Sequence, residues 1–487
     1  MTEPRLPNAL GAEPGAARVR RVGPVPDLTV LRARLEEAGV AVDDTAAVLD
    51  DHGRDWWPPS IGWAAHGELP ARPGLVVLAT STEQVAVCVA ECNDLGIALT
   101  VQGGRSGVCG GAVPEPGAVA LDLTGLNGLR AIDPTSLRAR FAAGTFGPDV
   151  EAALRDRGCT LGHFPQSMEL STIGGWVACR GAGQYSTRYG KIEDLVRGLT
   201  VVLADGAIVT TGGAGPRSAA GPDLSQLFVG AEGSLGIITE VEVVIHEVPG
   251  AEARGAWSFG DFDDGLDACR RILRRGATPA VLRLYDAIES KRNFDLDRCA
   301  LVVLDEADPG LLAATMAVVE EECARANRED VALVERWLSH RNDVSALGPL
   351  WERGIVVDTM ETAAPWHRLA ELRAGVTDAM LAVDGTMVVS VHQSHAYLDG
   401  ACLYFTFAGR DVDADAYYDA VWDAGSRASL AAGASLSHHH GVGRNRARFL
   451  REALGGGLDV LHSLKGALDP KGTLNPGVLG LGGSDGR

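Results

Sequence analysis

The stretch ALTVQGGRSGVCGG, residues 98–111, decides the fold. It enters as a run of β-type residues and breaks into glycines at Gly103. Gly103, Gly104 and Gly107 carry no Cβ, so the backbone there can crowd against a ligand. Successive exposed amides of this kind form an anion-binding concavity, and a diphosphate is the expected occupant. A plain tight turn is the structural alternative. The spacing spells neither the G-x-G-x-x-G of a Rossmann turn nor the G-K-[ST] of a P-loop. A second loop, PQSMELSTIGGWVACRGAG at 165–183, is rich in Ser and Thr donors. Two such loops point to a long polar cofactor held by main chain and hydroxyls.

Working outward, residues 73–101 read as a β–α–β unit: LVVLA, a helix from Ser81 or Thr82 to Gly96, and IALTV. The glycine loop therefore lies at a strand's carboxyl end, where open α/β sheets place ligands. Strands are expected at 119–126 and 137–144, with a short helix over 148–158 begun by Pro148. VVLADGAIV gives a hairpin at Asp-Gly, and residues 227–245 hold a third Gly-rich turn followed by a strand. From 251 helical segments (263–276, 311–327) flank strands at 299–306, 387–398 and 401–409. The division is 1–69, a Pro-rich arm with a helical segment; 70–248, the cofactor domain; 249–435, an α+β cap; and 436–487, a Gly-rich, irregular C-terminal segment returning to the cofactor domain. Trp56, Trp57 and Trp63 read as packing.

The net charge of −20 argues against nucleic acid, which needs a basic face, and against adhesion to anionic membrane through bulk charge. Nine scattered cysteines without a CxxC pair read as reduced thiols of a cytoplasmic protein. There is no apolar run of 18 residues, and the N-terminus has no apolar signal core.

Three residue sets carry candidate chemistry. SLSHHHGVG, 435–443, holds consecutive histidines; if the segment is extended, His438 and His440 point one way and His439 the other. Proton transfer and oxyanion binding fit such a cluster better than a metal, and no metal is assigned. Tyr404 alternates with Phe405, and the alternative is a core tyrosine. Arg283 sits in an apolar strand and needs an anionic partner: Asp286, or a ligand.

GGRSGVCGG, PQSMELSTIGGW and GAEGSLGIITE, in this order, resemble the vanillyl-alcohol oxidase (PCMH-type FAD-binding) superfamily. PAVLRLYD, DTMETAAPWHRL, LDGACLYFTF and SLSHHHGVG resemble its alkylglycerone-phosphate synthase branch. The resemblance spans about residues 70–480. It implies an α+β protein with a two-subdomain FAD-binding domain and a substrate cap. The flavin segments fall on Val101, Gln102, Gly103, Gly104, Arg105, Ser106 and Gly107; on Gln166, Ser167, Met168, Ser171 and Thr172, with Cys179, Arg180, Gly181 and Ala182; and on Glu232, Gly233, Ser234 and Ile237. Members with covalent flavin carry histidine where this chain has Arg105, so FAD is expected to be non-covalent; the offset of Cys109 does not suit a second tether.

In the synthases a tyrosine acid/base falls on Tyr404, the histidine trio on His438, His439 and His440, and a required arginine on Arg283. The implied reaction exchanges the acyl chain of an acyl-dihydroxyacetone phosphate for a fatty alcohol without net redox, as in ether-lipid synthesis. An FAD-linked 2-hydroxyacid dehydrogenase or oxidase is the alternative. One departure stands out: the phosphate-binding arginine of the family falls on Leu347, leaving Arg341 and Arg353 as nearby substitutes. A small-molecule or lipid substrate, peripheral membrane contact and a homodimer complete the expectation.

Overall fold

The computed structural model describes residues 6–213, 215–410 and 412–482. The β–α–β unit around the opening stretch forms as read. Leu75–Leu78, Val119–Asp122 and Leu99–Gln102 lie parallel, and Ala41–Asp43 joins antiparallel at one edge. The helix Thr82–Leu95 starts at Ser81, whose hydroxyl accepts from the Gln84 amide, and stops at Gly96 in the left-handed region, φ 67°. It buries Val85, Cys88, Val89 and Cys92 against this sheet.

Leu31, Leu35 and Val40 share that core. The helical segment expected within 1–69 thus forms as the helix Thr29–Glu37 and, with strand Ala41–Asp43, packs onto the first subdomain. A boundary drawn from prolines and glycines could not register this, because the contacts are made across sequence.

A second subdomain is a five-stranded antiparallel sheet in the order Ile208–Thr210, Val196–Val202, Ile237–Val244, Arg138–Ala142, Leu129–Asp133. The Asp-Gly hairpin pairs Val201 with Val209. The cap is a seven-stranded antiparallel sheet: Asn327–Glu329, Ala251–Phe259, Cys299–Ala307, Val281–Tyr285, Thr386–Ala396, Gly400–Arg410, Ile355–Pro365. One face packs on the helices Phe262–Arg274, Leu369–Leu381 and Ala414–Ala431 through residues such as Phe405, Phe407 and Trp422. The other face meets Tyr185, which follows the second glycine loop, through Val281, Tyr285 and the neighbouring Trp337. Period-two alternation thus puts Tyr404 on the face opposite Phe405.

The C-terminal segment is less irregular than its glycines suggest. Gly457–Leu468 is a helix, with Leu461, Leu464 and Leu468 against the second subdomain. Leu474 bridges to Leu99 and is buried in the first core.

Candidate active site

The three glycine loops and the inner face of the cap sheet enclose one cavity of about 870 Å³. The amides of Gly103 through Val108 donate to no protein acceptor among the described residues. The loop is half-buried, with Gly107 exposed, so a row of free amides faces the cavity and suits a diphosphate. The glycines serve partly another purpose: a Cβ on Gly104 would lie 1.9 Å from the Leu170 carbonyl, and one on Gly103 would lie 2.6 Å from Thr172 Oγ1. They let the first loop lie against the second. Only at Gly107 is the Cβ direction open.

Val101, Arg105, Ser106, Gln166, Ser167, Ser171, Thr172, Cys179, Gly181, Ala182, Glu232, Gly233 and Ile237 also line the cavity. Four residues of the sequence-derived set do not. Gln102 turns its amide to the carbonyls of His52 and Ala112. Met168 fills space against Gly147. Arg180 lies over Gly230 and pairs with Glu193. Ser234 is fully buried and donates to the Ala231 carbonyl. Arg105, at φ 54°, pairs with Asp51. Trp56, read as packing, also faces the cavity.

On the cap side, Glu361, Tyr404 and His392 are neighbours across three adjacent strands. The Tyr404 hydroxyl lies 2.8 Å from His440 Nε2, and its ring stacks on His392 at 4.8 Å. Burial pushes the Tyr404 phenol well above its ordinary range. Glu361 and the histidine loop are built around each other. Its Oε1 accepts from Ser437 Oγ (2.7 Å) and from the amides of His438, His439 and His440 (3.1, 2.9 and 2.8 Å). Its Oε2 meets the Arg446 guanidinium, both side chains being fully buried. Burial alone would raise the Glu361 carboxyl, but Arg446 and then His440 hold it well below the carboxylate range.

Three consecutive amides aimed at one oxygen require a bent chain, so the extended alternation expected for the trio does not hold. His439 and His440 line the cavity, and His438 lies behind them. His438 Nδ1 is 2.9 Å from His439 Nδ1, and its Nε2 is 3.1 Å from the Tyr397 hydroxyl. Burial depresses all three imidazoles, His438 to about 3 with Lys191 adding to the effect. His395, His438 and His439 bring ring nitrogens within 4.8 Å of one another, a spacing a cation could bridge. The direct bond between two of those rings occupies that geometry already.

Arg283 does not reach Asp286, which instead caps the helix Ala287–Phe294 and accepts from the Val391 amide. Its Nη2 contacts His392 Nε2 at 2.9 Å, and its buried Nε has no partner. Because a guanidinium only donates, His392 Nε2 must accept, so its proton sits on Nδ1 and faces Glu289 Oε2 at 2.8 Å. Arg341 lines the same cavity with a buried, unpartnered Nη1. Both guanidiniums lie 5.6 Å from the Trp337 ring, and neither forms an ion pair among the described residues. Arg353 is exposed and lies off the cavity, whereas Leu347 is part of its wall.

Sequence reasoning missed His392, His395, Glu289 and Arg446. Three residues apart on a strand, His392 and His395 belong to opposite faces, but a bulge between Gln393 and His395 turns both to the cavity.

Comparison with known proteins agrees with this architecture. Residues 73–212 match the FAD binding domain family, and residues 248–479 match the C-terminal domain of FAD linked oxidases. The FAD-linked oxidoreductase YgcU of Escherichia coli (strain K12) is 32% identical over 84% of this chain and 89% of its own. Alkyldihydroxyacetonephosphate synthase of Caenorhabditis elegans is 29% identical over 83% and 75%, and glycolate oxidase subunit GlcD of Bacillus subtilis (strain 168) 28% over 84% and 89%. A solved alkyldihydroxyacetonephosphate synthase superposes with a TM-score of 0.77, covering 96% of this chain and 90% of that one at 24% identity. The glycine loops, the cap and these relatives together place the chain in the FAD-linked oxidase family of PCMH-type flavoproteins, as an FAD-dependent enzyme resembling the alkyldihydroxyacetonephosphate synthases.

Proposed function

We propose that the enzyme acts as a synthase-like transferase on an amphiphile with an anionic head, exchanging the acyl group of an acyl-dihydroxyacetone phosphate for a fatty alcohol. The observation that carries this reading is the single cavity joining the flavin loops, the Tyr404–His440 pair and two unpaired arginines. An uncompensated guanidinium in a buried site is costly, typically by several kcal/mol, and an anionic ligand relieves that cost. Arg283 and Arg341 are thus assigned the head group, with Arg341 supplying the cation lost at Leu347. Leu347, Leu350, Val344 and Val357 give the same cavity an apolar wall suited to a chain.

FAD, when bound, supplies the electrophilic ring at which the substrate carbon reacts. The protein's part is proton handling. With the His440 proton on Nδ1, which lies 3.6 Å from Glu361 Oε2, Tyr404 donates its hydroxyl to His440 Nε2. The phenol can therefore take a proton from the substrate while passing its own to an imidazole that a carboxylate steadies. Arg105 and the position of Cys109 favour FAD held without a covalent bond. A lipid substrate implies transient contact with a membrane surface; a cytoplasmic homodimer completes the proposal.

The test is transfer of labelled fatty alcohol into the dihydroxyacetone phosphate product by FAD-loaded enzyme under anaerobic conditions. Label in the product with the flavin still oxidised supports exchange. No label, with lasting bleaching by a 2-hydroxyacid, would establish the second reading, oxidation of a hydroxyacid. That reading draws on the GlcD relative and on the suitability of two arginines for a carboxylate.

A further inference from the structure

Behind the cavity runs a ring of hydrogen bonds that the proposed chemistry leaves unused. His395 Nδ1 lies 2.7 Å from Ser186 Oγ, which lies 3.2 Å from the Tyr397 hydroxyl. Tyr397 continues to His438 Nε2 at 3.1 Å, and His438 Nδ1 to His439 Nδ1 at 2.9 Å. The two ends, His395 and His439, both line the cavity with ring centroids 5.0 Å apart. The Nε2 of neither has a hydrogen-bond partner among the described residues. The inner members, Ser186, Tyr397 and His438, are not part of the cavity wall.

Donor counting allows two arrangements. In the first, His395 Nδ1–H donates to Ser186, Ser186 to Tyr397, Tyr397 to His438 Nε2, and His438 Nδ1–H to His439. His439 then presents Nε2–H to the cavity and His395 presents a lone pair. In the second, every bond is reversed, and the two ends exchange roles. Both satisfy every donor and acceptor with all three imidazoles neutral, the form that burial enforces.

We propose that this ring is a proton relay joining two acid/base positions of one pocket. A proton taken from the substrate at His395 Nε2 drives a shift along Ser186, Tyr397 and His438 and releases another at His439 Nε2. One proton enters, one leaves, no electrons move, and the relay is left with inverted polarity. The reverse passage resets it. His395 and His439 are catalytic residues in this scheme, and Ser186, Tyr397 and His438 position and relay. The assignment deepens the proposed function, because an exchange that breaks one bond and makes another needs a proton removed and a proton returned.

Nitrogen NMR of ¹⁵N-histidine-labelled, FAD-loaded enzyme tests the relay without any substrate. In either arrangement His395 and His438 share a tautomer and His439 has the opposite one, so their Nδ1–H fractions must match and His439 must show the complement. Tyr397→Phe, with both end imidazoles intact, should abolish that correlation while FAD stays bound. Opposite tautomers at His395 and His438, or an imidazolium at any of the three near neutral pH, would overturn the proposal. With the alcohol-exchange assay, Tyr397→Phe should lower kcat about 10²-fold, leave KM unchanged and linearise a curved proton inventory. Wild-type kcat and inventory in the variant would also overturn the relay. Failure of wild-type enzyme to exchange alcohol refutes the substrate assignment alone, since the tautomer correlation stands apart from it.

Discussion

Replacing Glu361 tests how much of the site is one charge. Glu361→Gln keeps the shape and one carbonyl-type oxygen for Ser437 and the amides of His438, His439 and His440, but removes the negative charge facing Arg446. Both partners are at 0% exposure, so solvent cannot take over. Breaking such a pair typically costs about 3–5 kcal/mol, because the surviving charge stays buried. That is a fifth or more of the stability of an ordinary domain, about 5–15 kcal/mol. Arg446 keeps a bond to the Leu436 carbonyl at 2.8 Å and a stacking contact over Trp422 at 4.9 Å, so about 3 kcal/mol is the expected loss. Removing the orphaned cation as well, in Glu361→Gln/Arg446→Met, should recover at least about 2 kcal/mol of it, since deleting both partners of a buried pair is often near neutral. Urea unfolding of the four FAD-loaded proteins, followed by flavin fluorescence, completes the cycle. A Glu361→Gln protein as stable as wild type, or coupling under about 1 kcal/mol, would refute the claim that this ion pair fixes the histidine loop.

Tyr404→Phe should retain FAD and lose turnover by about 10²–10⁴-fold, read by flavin absorbance and alcohol exchange; undiminished kcat would remove the phenol from the mechanism. Acid-precipitated protein should release all its flavin into the supernatant, and yellow colour left on the chain would contradict non-covalent binding. Arg341→Ala should weaken binding of dihydroxyacetone phosphate by about tenfold or more in calorimetry, while Arg353→Ala leaves it unchanged. Stability should fall as pH drops from 7.5 to 5.5. Burial depresses His163, His392, His395, His438, His439 and His440, so below pH 6.5 the unfolded chain binds protons that the folded one refuses. Asp55, Glu232 and Asp358, pushed up to about 7, act oppositely, as do Asp286, Asp305 and Glu306 with smaller rises, but the histidines, His246 included, outnumber them. Unfolding midpoints that stay flat or rise over this range would contradict the neutral histidine cluster.

The cofactor half of this site was legible because its signal is local. A glycine loop after a strand, or Asp-Gly between apolar runs, dictates nearby backbone whatever lies elsewhere. The cap half was legible only where residues sit in one string, as the histidines do. His395 was hidden by the bulge that turns it inward, since strand alternation assigns it to the face opposite His392. Arg446 and Glu289 are charged residues that read as surface, and only long-range pairing explains their burial. The helix Gly457–Leu468 was the opposite failure: Leu458, Leu461, Leu464 and Leu468 carry a helical period, but the preceding glycines obscured it.

The histidine loop also explains how two domains share one active site. Glu361, from the cap, accepts the amides of residues 438–440, and Glu232, from the third flavin loop, accepts those of Val442 (2.6 Å) and Gly443 (2.8 Å). Six residues of backbone, 438–443, are thus held between a buried carboxylate on the cap and a half-buried one on the third loop. The two differ in charge compensation. Glu361 has Arg446 against it and stays ionised, whereas Glu232, with only backbone donors nearby and Arg446 more distant, is raised by burial to about 7. The grip on the cap side is therefore permanent, and the grip on the flavin side is strongest when Glu232 is ionised, because amides bind a carboxylate more tightly than an acid. A loop anchored this way lets the cap carry Tyr404 and the histidines while the flavin loops set where their protons must go.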